Sequence, residues 1–170
     1  MAGAAIFVIF PLCLAVAAFS DLFTMTIPNR IPAILMGSFF LVAPLAGLDL
    51  TAIGVHLFAG LVVFTICFIL FGMNIMGGGD AKLLAASALW FGWDISLFEY
   101  VIYVSFLGGV LTVGILALRA HTDSIIASGL PIPGHLLTEK KVPYGISIGL
   151  AAFLAYPTSP MMKLAFSHLL

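Results

Sequence analysis

Five stretches of this 170-residue chain, residues 2–20, 31–48, 50–79, 100–118 and 142–162, contain no Asp, Glu, Lys or Arg. A helix rises about 1.5 Å per residue and needs about 20 apolar residues to cross roughly 30 Å of bilayer hydrocarbon, so each stretch is long enough to span. The third is too long, and Gly77, Gly78 and Gly79 predict that its helix stops near Gly72. A sixth run, residues 83–93, is short, and a count of cations decides its status. If it crosses, Arg30, Lys82, Arg119, Lys140 and Lys141 share one side and Lys163 stands alone on the other. If it does not, three cations face three. Cations gather on cytoplasmic loops, so the uneven division predicts six crossings with both termini exterior. Ala15-Val16-Ala17 looks like a signal cleavage site, but no positive segment precedes the first apolar run, so that helix is expected to be retained.

Charged residues make up only 8% of the chain, against about 25% in soluble domains, which excludes a water-facing surface over most of the molecule. The net charge of −1 excludes a strongly basic face for nucleic acid. Cys13 and Cys67 lie in apolar runs without a CxxC pairing, so neither a disulfide framework nor a zinc site is expected, and no cofactor is implied. The expected architecture is an all-α polytopic membrane domain covering 1–170. Its helices fall near 2–20, 31–48, 51–72, 81–97, 100–118 and 143–162, with a polar cytoplasmic loop at 119–142. Trp90, Trp93 and Tyr100 are expected at the exterior interface, where aromatic belts form.

Where charge is this scarce, an ionisable group near the membrane is a functional hypothesis. Asp21 and Asp80 fall on the same side, at the ends of two different helices. Two carboxylates held close share one proton, because both cannot ionise cheaply. Peptide hydrolysis uses such a pair: the ionised partner draws a proton from water, and the protonated one polarises the scissile carbonyl. Gly77, Gly78 and Gly79 before Asp80 permit a non-helical backbone and close approach of an extended substrate. The plainer readings are that Asp80 caps its helix and that Asp21 marks where the first helix reaches water. Asp49, Asp94 and Glu99 fall on the opposite side and read as headgroup-level residues. Asp123 and Glu139, in the long loop, are candidate contacts for a basic segment. Lys82 reads as a cytoplasmic anchor rather than a catalytic group. The helix macrodipole assigns Asp80, at an N-terminus, as the ionised base and Asp21, at a C-terminus, as the acid.

Other residues carry weaker signals. Gly145-Ile146-Ser147-Ile148-Gly149 matches GxSxG, but a nucleophile elbow needs a strand before its turn, and the same residues spell GxxxG, which lets helices approach closely. His56 reads as a hydrogen-bonded bundle residue. His121 and His135 form a poor metal site, and His168 lies near a frayed terminus. Asn29, between Pro28 and Pro32, is expected to cap the second helix, with Ile27-Pro28-Asn29 turning the chain so that Asp21 faces Asp80.

Asp21, then Ile27-Pro28-Asn29, then Gly77-Gly78-Gly79-Asp80 followed by Ala-Lys-Leu-Leu-Ala-Ala resembles the type IV prepilin peptidases, GxGD intramembrane aspartyl proteases. The resemblance is nearest to their short form, which serves Flp pili of tight-adherence systems. It extends to Pro143-Tyr144-Gly145, where the family has a similar Pro-aromatic-Gly element. It implies a bundle of six transmembrane helices in the bacterial inner membrane, with Asp21 and Asp80 as the catalytic pair. The implied reaction removes a short basic leader from prepilin substrates at the cytoplasmic face. Larger members carry a four-cysteine zinc region between the first two helices and often methylate the new N-terminus. Here that connection is about ten residues without cysteine, so methylation and a metal are not expected. Two other classes remain open at this stage: a small proton- or ion-coupled transporter, and a non-catalytic scaffold of a secretion machine. Nothing in the sequence sets the oligomeric state.

Overall fold

In a computed structural model of the chain, which describes residues 2–122, 139 and 141–167, every element is helical and no strand occurs among those residues. The elements are α1 (Ala2–Thr24), α2 (Arg30–Leu45), α3 (Leu50–Gly72), α4 (Gly78–Phe91), α5 (Ile95–Ala120), α6 (Tyr144–Ala155), a 3₁₀ turn (Tyr156–Thr158) and α7 (Pro160–Ser167). Connections of a few residues make α1 to α5 successively antiparallel, and the Gly145 N–H bonded to Asp21 places the start of α6 beside α1. The alternation gathers the α1–α2 turn, the α3–α4 loop and the start of α6 at one end. The α2–α3 and α4–α5 connections lie at the other end.

Three helices are long and apolar enough to cross a membrane by length and composition: Gly3–Thr24, Leu50–Gly72 and Ile95–Ala120. Arg30–Leu45 and Tyr144–Thr158 are shorter apolar segments. Much of α3 and α5 points outward, with Leu57, Leu61, Phe64 and Phe68 on one and Ile102, Phe106, Val110 and Val113 on the other exposed. That pattern suits a lipid surround and not water.

The fourth helix is the centre of the bundle. Ala81 and every residue from Leu83 to Phe91 are buried, and α2, α3 and α6 pack around it. It ends at Phe91 rather than near 97, because Gly92 takes a left-handed φ of 65°. Asp94 then caps α5, accepting from the Ser96 backbone at 3.2 Å and its hydroxyl at 2.9 Å. Asp49 caps α3 in the same way, from Ala52 N at 2.7 Å. These two acids are therefore helix caps.

The last apolar run divides into two helices. Pro157 and Pro160 lack an N–H, and Ser159 is extended, so α6 passes through the 3₁₀ turn into the short α7. Met161, Met162 and Ala165 of α7 are buried, and Phe166 meets Phe7 of α1 edge-on at 5.1 Å.

Two of the three aromatics expected at an interface are core. Trp90 and Tyr100 are 0% exposed, and only Trp93, at 45%, faces outward. Buried against the enclosed α4, both polar aromatics need internal partners: Trp90 Nε1 of α4 donates to the Leu35 carbonyl at 3.0 Å, and Tyr100 of α5 shares a 2.8 Å hydrogen bond with Ser87 of α4. Phe10 of α1 stacks on Tyr156 at 4.0 Å and lies 5.5 Å from Trp90, and Phe91 stacks on Tyr100 at 4.6 Å. His56 is buried beside Phe39, its Nδ1 2.6 Å from the Leu89 carbonyl, as expected of a bundle residue.

Candidate active site

Asp21 is not where α1 reaches water. The helix continues to Thr24, and Asp21 is only 5% exposed. α1 stops at Met25, whose left-handed φ of 52° turns the chain while its N–H still bonds the Asp21 carbonyl at 2.9 Å. Hydroxyls support this turn: Ser20 Oγ donates to the Thr26 carbonyl at 2.9 Å, and Thr24 and Thr26 share a 2.8 Å bond. Pro28 then restricts Ile27 to extended backbone, and its carbonyl receives the Ile31 N–H at 3.0 Å as α2 begins.

The Asp21 carboxylate accepts the Gly145 N–H at 2.7 Å, at the start of α6. Glycine is required there for space. A Cβ at 145 would stand 2.8 Å from Asp21 Cβ and 2.9 Å from its Oδ2. One turn further on, a Cβ at Gly149 would stand 3.2 Å from Ala18 Cβ and 3.3 Å from the Leu14 carbonyl. The Gly145–Gly149 pair thus sets α6 against α1 as a GxxxG face. Ser147 between them is 1% exposed inside helix packing, without the strand a nucleophile elbow requires.

Asp80 is not the cap of α4, which is Gly77. Asp80 sits three residues later and its carboxylate reaches back to the Gly77 N–H, the reciprocal half of a capping box. A Cβ at Gly77 would stand 2.7 Å from Asp80 Oδ2, and one at Gly79 would stand 3.3 Å from Ile27 Cβ. A Cβ at Gly78 would stand 3.1 Å from the Phe71 ring. Each glycine of the run therefore lets a different neighbour come close.

Asp21 and Asp80 line one cavity of about 640 Å³. The α1–α2 turn contributes Met25, Thr26, Ile27 and Asn29, and the α3–α4 region contributes Phe71, Asn74, Ile75, Met76 and Gly77 to Gly79. Lys141, Val142 and Tyr144 complete the lining. Pro28, Pro143 and Gly145 do not line the cavity: Pro28 is exposed in the turn, and Pro143 and Gly145 are buried at the start of α6. Tyr144 is fixed from α5, its hydroxyl 2.8 Å from that of Thr112.

Asp80 lies in the first turn of α4, outside the three helices long enough to span. Burial, with the Asp21 charge beside it, pushes its carboxyl from the usual 3.8 up to about 7. The Gly77 N–H and the Lys141 charge oppose that rise. At about 1.4 kcal/mol per pH unit, burial outweighs the roughly 0.3–1 kcal/mol a helix N-terminus supplies. Burial therefore works against the macrodipole, which by itself would leave Asp80 the ionised partner.

Asn29 is at the N-cap position of α2 but makes no side-chain cap bond. Its Oδ1 instead accepts from Lys82 Nζ at 2.9 Å. Lys141 was legible only as a cation next to Pro143-Tyr144-Gly145; nothing in its own sequence context places it in the cavity. Arg119 at the end of α5 donates to the Lys141 carbonyl at 2.7 Å. Glu139 is exposed and does not line the cavity, while Asp123, His135, Lys140 and His168 lie outside the described residues. Among the described residues no three His, Cys, Asp or Glu side chains gather as metal ligands would.

Compared with known proteins, the chain matches the type IV leader peptidase family over residues 8–115. That stretch contains both aspartates, the Ile27-Pro28-Asn29 turn and the glycine run, and stops before Pro143-Tyr144-Gly145. No curated protein and no solved structure matches.

Proposed function

The chain belongs to the type IV leader peptidase family, whose substrates are prepilins, and we propose that it hydrolyses the leader peptide with Asp21 and Asp80 as an aspartyl pair. The observation that carries this reading is their placement: two carboxylates from different helices line one cavity, one of them raised to about 7.

Asp80, protonated, donates to the scissile carbonyl oxygen. Asp21, ionised and oriented by the Gly145 N–H, takes a proton from water as the water oxygen adds to the carbonyl carbon. When the C–N bond breaks, Asp21 returns that proton to the leaving amine and Asp80 recovers its own from the intermediate's hydroxyl.

The helices cross the bilayer six times in this reading, with the hydrocarbon-crossing part of α4 starting at Ala81. The cavity then opens at the cytoplasmic edge of the inner membrane. The substrates are Flp-type prepilins, whose short basic leader is cut beside an apolar helix, and the short α1–α2 connection leaves the new N-terminus unmethylated. Asp21 and Asp80 lie at one end of the bundle, which suits cleavage at a membrane edge better than ion passage through its middle.

The test is co-expression with a prepilin, comparing Asp21→Asn and Asp80→Asn with the parent. Each substitution keeps side-chain size and removes the titratable acid. Leader retention in both variants at unchanged membrane levels is expected. Normal cleavage by either variant would falsify the pair.

A further inference from the structure

The two aspartates sit on helices that barely touch. α1 and α4 are bridged by Phe10 against Trp90 and Phe91, and Phe10 lies eleven residues from Asp21, about 16 Å along the helix at about 1.5 Å per residue. α2 and α6 pack against both helices, and the largest neighbour of α4 is α3, which does not carry Asp21. Placement of one carboxylate relative to the other therefore depends on ties made at the cavity end.

Two ties join the α1–α2 turn to the start of α4. Ile27 lies against Gly79, where a Cβ would stand 3.3 Å from Ile27 Cβ. Asn29 Oδ1, two residues on, receives the Lys82 ammonium at 2.9 Å across 53 residues of sequence. Lys82 is two positions beyond Asp80, and Asn29 is eight beyond Asp21, with only the last turn of α1 and the Met25 bend between. Resting on the aspartyl reading above, we propose that Lys82 and Asn29 are positioning residues, a clamp that docks the α1–α2 turn on α4 and so sets Asp21 relative to Asp80.

The bond is exposed, and exposed polar pairs add little to stability. Its consequence is geometric, because misplacing a reacting group by about 1 Å costs up to about a hundredfold in rate. Lys82 then has a use beyond marking the membrane side, and Asn29 one that explains why it forgoes capping α2. A cation retained only for orientation needs no particular acceptor. A turn residue retained only to begin α2 needs no lysine.

The experiment uses the full chain in its membrane and a co-expressed reporter of a short basic leader ahead of an apolar helix. Lys82→Met, Asn29→Leu and their double variant are compared for kcat and KM, with membrane level and insertion measured in parallel. A clamp predicts that each single variant lowers kcat about tenfold or more with KM little changed, and that the double variant is no slower than the worse single one. Lys82→Arg and Asn29→Asp, which keep a donor and an acceptor, should retain most of the rate. Multiplying effects in the double variant would overturn the clamp. So would a silent Asn29→Leu beside an impaired Lys82→Met, which marks charge alone, or the converse, which marks the turn alone. Loss of insertion in Lys82→Met together with a silent Asn29→Leu would return Lys82 to an orientation role. The aspartyl reading fails separately, through cleavage by the Asn variants of Asp21 or Asp80.

Discussion

At the scale of single residues, the site's electrostatics rest on Asp80 and its neighbours. Asp80 holds its proton up to about pH 7 because burial and Asp21 oppose its ionisation, while the Lys141 charge works the other way. Cleavage should therefore fall as pH rises through about 7, where the acid partner is lost. Removing a cation that stabilises the ionised form raises the value further, so Lys141→Met should move the alkaline limb to higher pH. Lys141→Arg should leave it in place. The measurement is rate against pH for the three proteins, and a downward move in the Met variant would contradict this arrangement. Asp80 was recognisable in the sequence from its glycine run, and Asp21 from the Ile27-Pro28-Asn29 that follows it. Their proton assignment was not, because it depends on desolvation by helices distant in the chain.

At the scale of elements, apolar runs located the helices, and glycine and proline decided where they end. The end of α4 was misplaced because the uncharged run 83–93 is too short to span alone and needs extending to about 97 to reach the headgroups; the stop lies in one backbone angle. Gly92 has φ +65°, and a Cβ there would stand 2.8 Å from the His56 ring. Gly92→Ala should therefore destabilise the α4–α5 junction by about 1–3 kcal/mol. It should also weaken the His56–Leu89 hydrogen bond, read as a lower unfolding temperature in detergent. Gly54→Ala, where a Cβ meets nothing within 4 Å, serves as its control and should be neutral or slightly stabilising. Equal unfolding temperatures for the two variants would argue against the crowding at Gly92.

At the scale of the whole molecule, the alternation of helices puts Lys82, Arg30 and Lys141 with the aspartates and puts Asp49, Asp94, Glu99 and Lys163 at the opposite end. Single cysteines placed in an otherwise cysteine-free chain test this arrangement in the membrane. Positions 74 and 75 should label from the cytoplasmic side and positions 47 and 48 from the other. Labelling of both loops from one side would rule out the six-crossing arrangement. By itself the sequence determined an all-helical apolar chain, its family and its two candidate carboxylates, because hydrophobic run length and local motifs are properties of neighbouring residues. Only the tertiary structure decided that α4 is enclosed, with Trp90 and Tyr100 in the core, that Gly145 presents its N–H to Asp21, and that Asn29 serves Lys82. Those outcomes depend on which helices pack together, and a Cβ clash or a hydrogen bond across 53 or 124 residues leaves no periodic trace in the chain.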